Sequence, residues 1–256
     1  MLCSVKELKG FSLAALDGEI GQALEIYFDD QHWVVRHVVA ETAGWLSGRK
    51  VLISPHSINR VERAERKLMV SLTRRQIEEA PGIDADKPVS RQQEIPYYDY
   101  YGYPYYWSGS GLWGMDALPL GGAELLSPPG TAAPRQVSAD LAASAIGTVD
   151  RHLRSSIEVG GYKVDANDGS IGHVDDVLID DRTWQIRLVV IDTHNWLPDR
   201  LVLVSPASII SINWVDRRAH VDLTRAAIKA SPPYERSRTV SRDDALKVDE
   251  HYRGWH

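Results

Sequence analysis

Four carboxylates crowd one short stretch, Asp175, Asp176, Asp180 and Asp181. Hard cations take several oxygen ligands, so weak Ca²⁺ or Mg²⁺ binding is the chemistry such a cluster offers. The spacing misses the EF-hand loop, and Asp-Asp pairs suit tight turns, so turn residues with a β-bulge at Asp175-Asp176 are the preferred reading. The 9 histidines include no HxH or HExxH spacing, so no metal site is read from them. Cys3, the single cysteine, excludes an intrachain disulfide, and its place at the N-terminus argues against a catalytic thiol. Gly18, Gly21, Gly169 and Gly172 lack the Lys-Ser/Thr of a phosphate loop and read as turns and close strand approach. No catalytic, cofactor or metal constellation emerges, and a non-enzymatic protein is expected.

Two other residue groups suit binding. Trp45 with Arg49, and Trp196 with Arg200, combine types that form cation–π pairs and interface hot spots. Tyr100, Tyr101, Tyr103, Tyr105 and Trp107 lie in an aromatic tract over 95–115. That tract reads as an aromatic loop packed on its own domain or a linker, with a partner-docking or self-associating segment as the functional alternative. It carries no Lys or Arg between Arg91 and Arg135, which disfavours stacking on single-stranded nucleic acid.

These residues sit on a duplicated framework. Displacing the chain by 151 positions aligns 17–81 with 168–232 without a gap, and 27 of 65 positions are identical. Asp17-Gly18-x-Ile20-Gly21 answers Asp168-Gly169-x-Ile171-Gly172, Asp29-Asp30 answers Asp180-Asp181, and Trp33 answers Trp184. Trp45-Leu46, Arg49, Ser54-Pro55 and Leu72-Thr73-Arg74 recur as Trp196-Leu197, Arg200, Ser205-Pro206 and Leu223-Thr224-Arg225. Trp184, Ile186, Leu188 and Val190 alternate with polar residues, the period of a half-buried strand. In the first copy His37 takes the inward position that Leu188 holds, and reads as a core or interface histidine. Short strands are predicted over 20–28, 49–54, 58–62 and 68–72 and their counterparts. A short helix then follows, capped in the first copy by Thr73 with Gln76 and stopped by Pro81 or Pro232.

The expected fold is mainly β: two small β-barrels in tandem, each with a short C-terminal helix, over 5–82 and 156–233. Packing of the copies on each other, or between chains as a homo-oligomer, would enlarge each small core. A Tyr/Pro/Gly-rich linker spans 83–155 with a short helix near 138–154, and 234–256 reads as a mobile charged tail.

The order Asp-Gly-x-x-Gly, strand, Asp-Asp, strand, Val/Leu-rich strand and Ser-Pro, repeated, resembles the PRC-barrel domain; Asp168–Asp180 is the best-matching stretch. The resemblance covers both copies. It implies small β-barrels that contact other proteins, as in the photosynthetic reaction-centre H subunit and a ribosome-maturation factor. The function expected is a protein-interaction or assembly module without cofactor, its protein partner unidentified. The alternatives by analogy are an RNA-processing or ribosome-associated factor and an accessory of photosynthetic electron transport. The net charge of -6 disfavours nucleic acid as the general partner. With no signal-like start and no apolar run long enough to span a bilayer, a soluble, cytoplasmic protein is expected.

Overall fold

A computed structural model describes residues 1–42, 44–46, 48–81, 89, 91–119, 153–193, 196–197 and 200–255. The helix expected near 138–154 falls almost wholly outside them. The described chain is mainly β and forms two seven-stranded sheets. It divides into two units, one of Met1–Glu7, Ser155–Asp181 and Gln185–His256, the other of Leu8–Arg154 and Arg182–Trp184. Each unit thus holds most of one repeat plus a short segment from elsewhere in the chain.

The first-repeat unit is built on β2 (Ser12–Ala15), β3 (Gly18–Asp29), β4 (Val34–Thr42), β5 (Lys50–Ile53), β6 (Ile58–Glu62) and β7 (Lys67–Val70). They run in the order β5-β4-β3-β2-β7-β6, and β8 (Leu153–Ser155) also pairs with β3. The second-repeat unit uses β9 (Lys163–Ala166), β10 (Gly169–Asp180), β11 (Ile186–Asp192), β12 (Leu201–Val204), β13 (Ile209–Asn213) and β14 (Arg218–Val221). Their order is β12-β11-β10-β9-β14-β13, with β1 (Leu2–Ser4) added on β10. The leading strand of each repeat therefore completes the sheet of the other repeat. β2 pairs in parallel with β7 and β9 with β14, and the other pairs along each six-strand path are antiparallel. A closed barrel is not seen among the described residues, although the ends of each path, β5–β6 and β12–β13, are joined by a single 3₁₀ turn.

The repeated glycines have a packing cause. A β-carbon on Gly21 would lie 1.9 Å from the Glu41 carbonyl oxygen, and one on Gly172 the same 1.9 Å from that of Asp192. Only glycine lets these strands approach so closely. Trp33 and Trp184 occupy the left-handed region, with φ of 55° and 58°, and so end the turn ahead of β4 and β11 rather than beginning the strands.

Two expectations fail for a shared reason. The residues after 233 are not a mobile tail: Ser241 caps a helix over Arg242–Arg253 through a capping box with Asp244. Part of the supposed linker is likewise a helix, α3 (Arg91–Tyr101), after α1 (Val5–Leu8) and α2 (Arg74–Glu78). Following α4 (Ser156–Val159) and α5 (Arg225–Ala230), the terminal helix is α6. α3 and α6 start 151 residues apart, so the duplication continues through them. Each helix lies against its sheet. Tyr97 of α3 donates to the Leu52 carbonyl and Tyr252 of α6 to that of Leu203, the same position in the two copies. This cover explains why β4 is buried on both faces from Val34 to Ala40 instead of alternating. No helix among the described residues is long and apolar enough to cross a membrane.

Candidate functional site

The two copies differ most beneath these helices and on one open face of the second. Leu2, Leu178, Leu188, Val190, Leu203, Val240 and Ala245 make an apolar core in the second-repeat unit. In the first-repeat unit His37 replaces Leu188, and Glu94 replaces Ala245. Their side chains are fully buried with His37 Nε2 2.9 Å from Glu94 Oε1. Tyr106 donates to both Glu94 oxygens, at 3.3 and 3.1 Å. Arg36, buried, donates to Asp29 at 3.0 Å and to the Leu112 carbonyl at 2.6 Å. Its guanidinium lies 3.8 Å over the Tyr106 ring and 5.0 Å from that of Trp113. Burial alone would raise the Asp29 carboxyl, but the Arg36 charge, His32 and the Gln31 N–H together hold it below its ordinary value.

The aromatic tract is largely spent on this packing. Tyr101, Tyr103 and Tyr105 are buried, whereas Tyr100 and Trp107 are half-buried. Tyr101 stacks on Tyr103 at 5.2 Å, Tyr105 on Trp107 at 4.8 Å and His56 on Tyr103 at 5.0 Å. Burial pushes the Tyr97, Tyr101, Tyr103 and Tyr105 phenols upward, so they remain neutral donors at physiological pH. Tyr100 donates to the Gln76 carbonyl at 3.0 Å.

The open feature belongs to the second-repeat unit. Gly161, Lys163, Ser170, Gly172, His173, Trp196, Arg218 and Arg225 line a cleft of about 550 Å³. That size is within the range of small-ligand and peptide-side-chain sites. β9 places Lys163 directly opposite Arg218 of β14 on one side and His173 of β10 on the other. Arg218 is paired with Asp165 at 2.6 Å. Arg225 donates through Nε and Nη2 to the Ser170 carbonyl, at 3.1 and 2.6 Å, and sits 5.2 Å over the Trp196 ring. The Trp196 contact is therefore made by Arg225. Arg200, expected beside Trp196, instead donates to the Ser231 carbonyl. In the first repeat Arg49 is exposed, while the Trp45 side chain lies outside the described residues. Sequence reasoning missed Lys163, His173 and Arg218 because they converge only through sheet register, and Arg225 because it reaches them from the first residue of α5.

The acidic cluster is neutralised within its own unit. Asp175 pairs with Lys6 at 2.6 Å and Arg236 at 2.8 Å. Asp176 accepts from Ser4, and Arg242 bridges Asp180 and Asp181. One of the register shifts of β10 against β11 falls between Val174 and Asp176. Among the described residues no three His, Cys, Asp or Glu side chains are placed to share a metal ion. Comparison with models of known families and with curated proteins gives no match.

Proposed function

We propose that the protein is a non-enzymatic interaction or assembly module of the cytoplasm, built on two PRC-type β-barrels, with the cleft around Trp196 as its docking site. The cleft carries this reading. In it an aromatic ring, several hydrogen-bond donors and free volume coincide on an accessible surface. Trp and Arg are the types that concentrate binding energy at interfaces. The barrel assignment is supported by the strand order, met twice, and by the single turn joining the path ends. The buried aromatics of the first-repeat unit act as cover for its sheet.

Capture on the immobilised full-length protein, with light scattering for self-association, tests the reading against Trp196→Ala. Trp196 is half-buried, so the variant should keep the wild-type circular dichroism. Loss of the captured protein or of self-association on a folded variant is expected. Equal recovery on both proteins overturns the reading.

A further inference from the structure

The cleft holds an arrangement that a sheet does not adopt for its own stability. Lys163 and Arg218 are direct cross-strand partners, and His173 is the partner of Lys163 on its other side. Like charges directly opposite on neighbouring strands are destabilising. The first repeat shows the alternative on the same backbone. There the row is Lys67, Ser12 and Gln22, with one cation. Glu19 of the first repeat is also replaced in the cleft, by Ser170. Asp165, where the first repeat has Ala14, engages Arg218. Asp192 lies across from His173 on β11, as its equivalent Glu41 lies across from Gln22, so this carboxylate position is common to both repeats. Lys163 is exposed, and Arg225 is fixed by the Ser170 carbonyl and Trp196 with its charge toward the cleft.

From this row we infer that the cleft binds an extended, carboxylate-rich segment of a protein partner. The inference rests on the interaction reading above and names the chemistry of the partner. Three adjacent strands place the row across about 10 Å. One oxyanion reaches only part of that span. An extended peptide sets alternate side chains about 6.6 Å apart, so two carboxylates at alternate positions together cover most of the row, within reach of its flexible Lys and Arg side chains. Arg218 and Arg225 supply the planar donors that suit carboxylates. A nucleic acid fits less well, because one face of the single Trp is already covered by Arg225 and the chain carries a net charge of -6.

The test is fluorescence anisotropy of a labelled seven-residue oligoglutamate on the full-length protein, with an oligoglutamine of equal length as control. A uridine oligonucleotide and inorganic phosphate serve as competitors. The variant is Lys163→Ser with His173→Gln, which installs the residues the first repeat tolerates. Expected are salt-sensitive binding of oligoglutamate alone, weakening of about tenfold or more in the variant, and a higher melting temperature of the ligand-free variant. Preferential oligonucleotide binding, displacement by phosphate at equal concentration, or no oligoglutamate binding each overturns the inference. If capture is lost on Trp196→Ala while oligoglutamate fails to bind, the interaction reading stands and only the partner chemistry is wrong. If Trp196→Ala changes nothing, the reading itself fails.

Discussion

Glu94→Ala should be among the costlier single substitutions in the first-repeat unit. The carboxylate is fully buried and accepts from Tyr106 as well as facing His37 Nε2 at 2.9 Å. Removing one partner of a buried pair costs about 3–5 kcal/mol, because the remaining polar groups are stranded without water. The second repeat supplies the compensating change, since Leu188 and Ala245 fill the same positions. His37→Leu with Glu94→Ala, plus Tyr106→Phe to remove the stranded hydroxyl, should therefore recover most of the loss, to within about 1–2 kcal/mol of wild type. Urea unfolding followed by near-ultraviolet circular dichroism reads the tyrosine packing directly. Its transition can be assigned to this unit because all the affected rings belong to it. A single variant costing less than about 1 kcal/mol, or a triple variant as unstable as the single, would refute the argument that polar pairing rather than volume holds these positions.

Gly172→Ala should cost at least about 3 kcal/mol, since the β-carbon has no room beside the Asp192 carbonyl. Gly161→Ala, with φ of 87° and open space around it, should cost only about 1–2 kcal/mol; chemical denaturation of both variants checks the contrast. The Asp29 carboxyl is held below its ordinary value by Arg36. Its contribution is thus present above the unfolded value and lost as pH falls below that value and through the folded one. Asp29→Asn should lower stability at pH 7 and flatten that acid limb, and an unchanged slope in urea titrations would count against it. Tyr252→Ala removes a buried ring and its bond to the Leu203 carbonyl, and should destabilise the second-repeat unit by about 3–5 kcal/mol. Hydrogen exchange of β11 and β12 would report the loss.

Much of the fold was legible in the sequence because duplication shows twice whatever backbone geometry demands. The glycines mark strand contacts too close for a side chain, and Thr73 with Gln76 forms the expected capping box. The expected repeat boundary at Pro81 and Pro232 cut off the covering helices. Val89-Ser90-Arg91 and Val240-Ser241-Arg242 are identical at the same displacement, as are Tyr101 and Tyr252, and this was the available signal. It was hidden because the helices diverge elsewhere, Glu94-Ile95-Pro96-Tyr97 standing where the second copy has Ala245-Leu246-Lys247-Val248. Helix cover also defeats alternation, since a strand buried on both faces loses its polar half. The cleft was not legible because register, not spacing, aligns Lys163 with Arg218.

The second copy also shows which polar groups the scaffold requires. Arg36 and Arg187 are equivalent, yet Arg187 keeps 34% of its side-chain exposure and meets Asp249 only at 3.9 Å, whereas Arg36 is 1% exposed. The difference lies in what covers the strand. Tyr106, Leu112 and Trp113 reach over Arg36 and supply a ring face, a carbonyl and a second ring. A sheet that folds with a half-buried Arg187 and an apolar Leu188 does not need the buried Arg36, His37 and Glu94, so those groups fasten the aromatic cover rather than the sheet. The polar divergence of the first repeat is thereby buried and internal. That of the second, in Lys163, Ser170 and His173, faces solvent around Trp196. On the proposed interaction reading, a partner discriminates only the surface it touches, so specificity would belong to the second repeat, with the first contributing a cap closed by its own tyrosines.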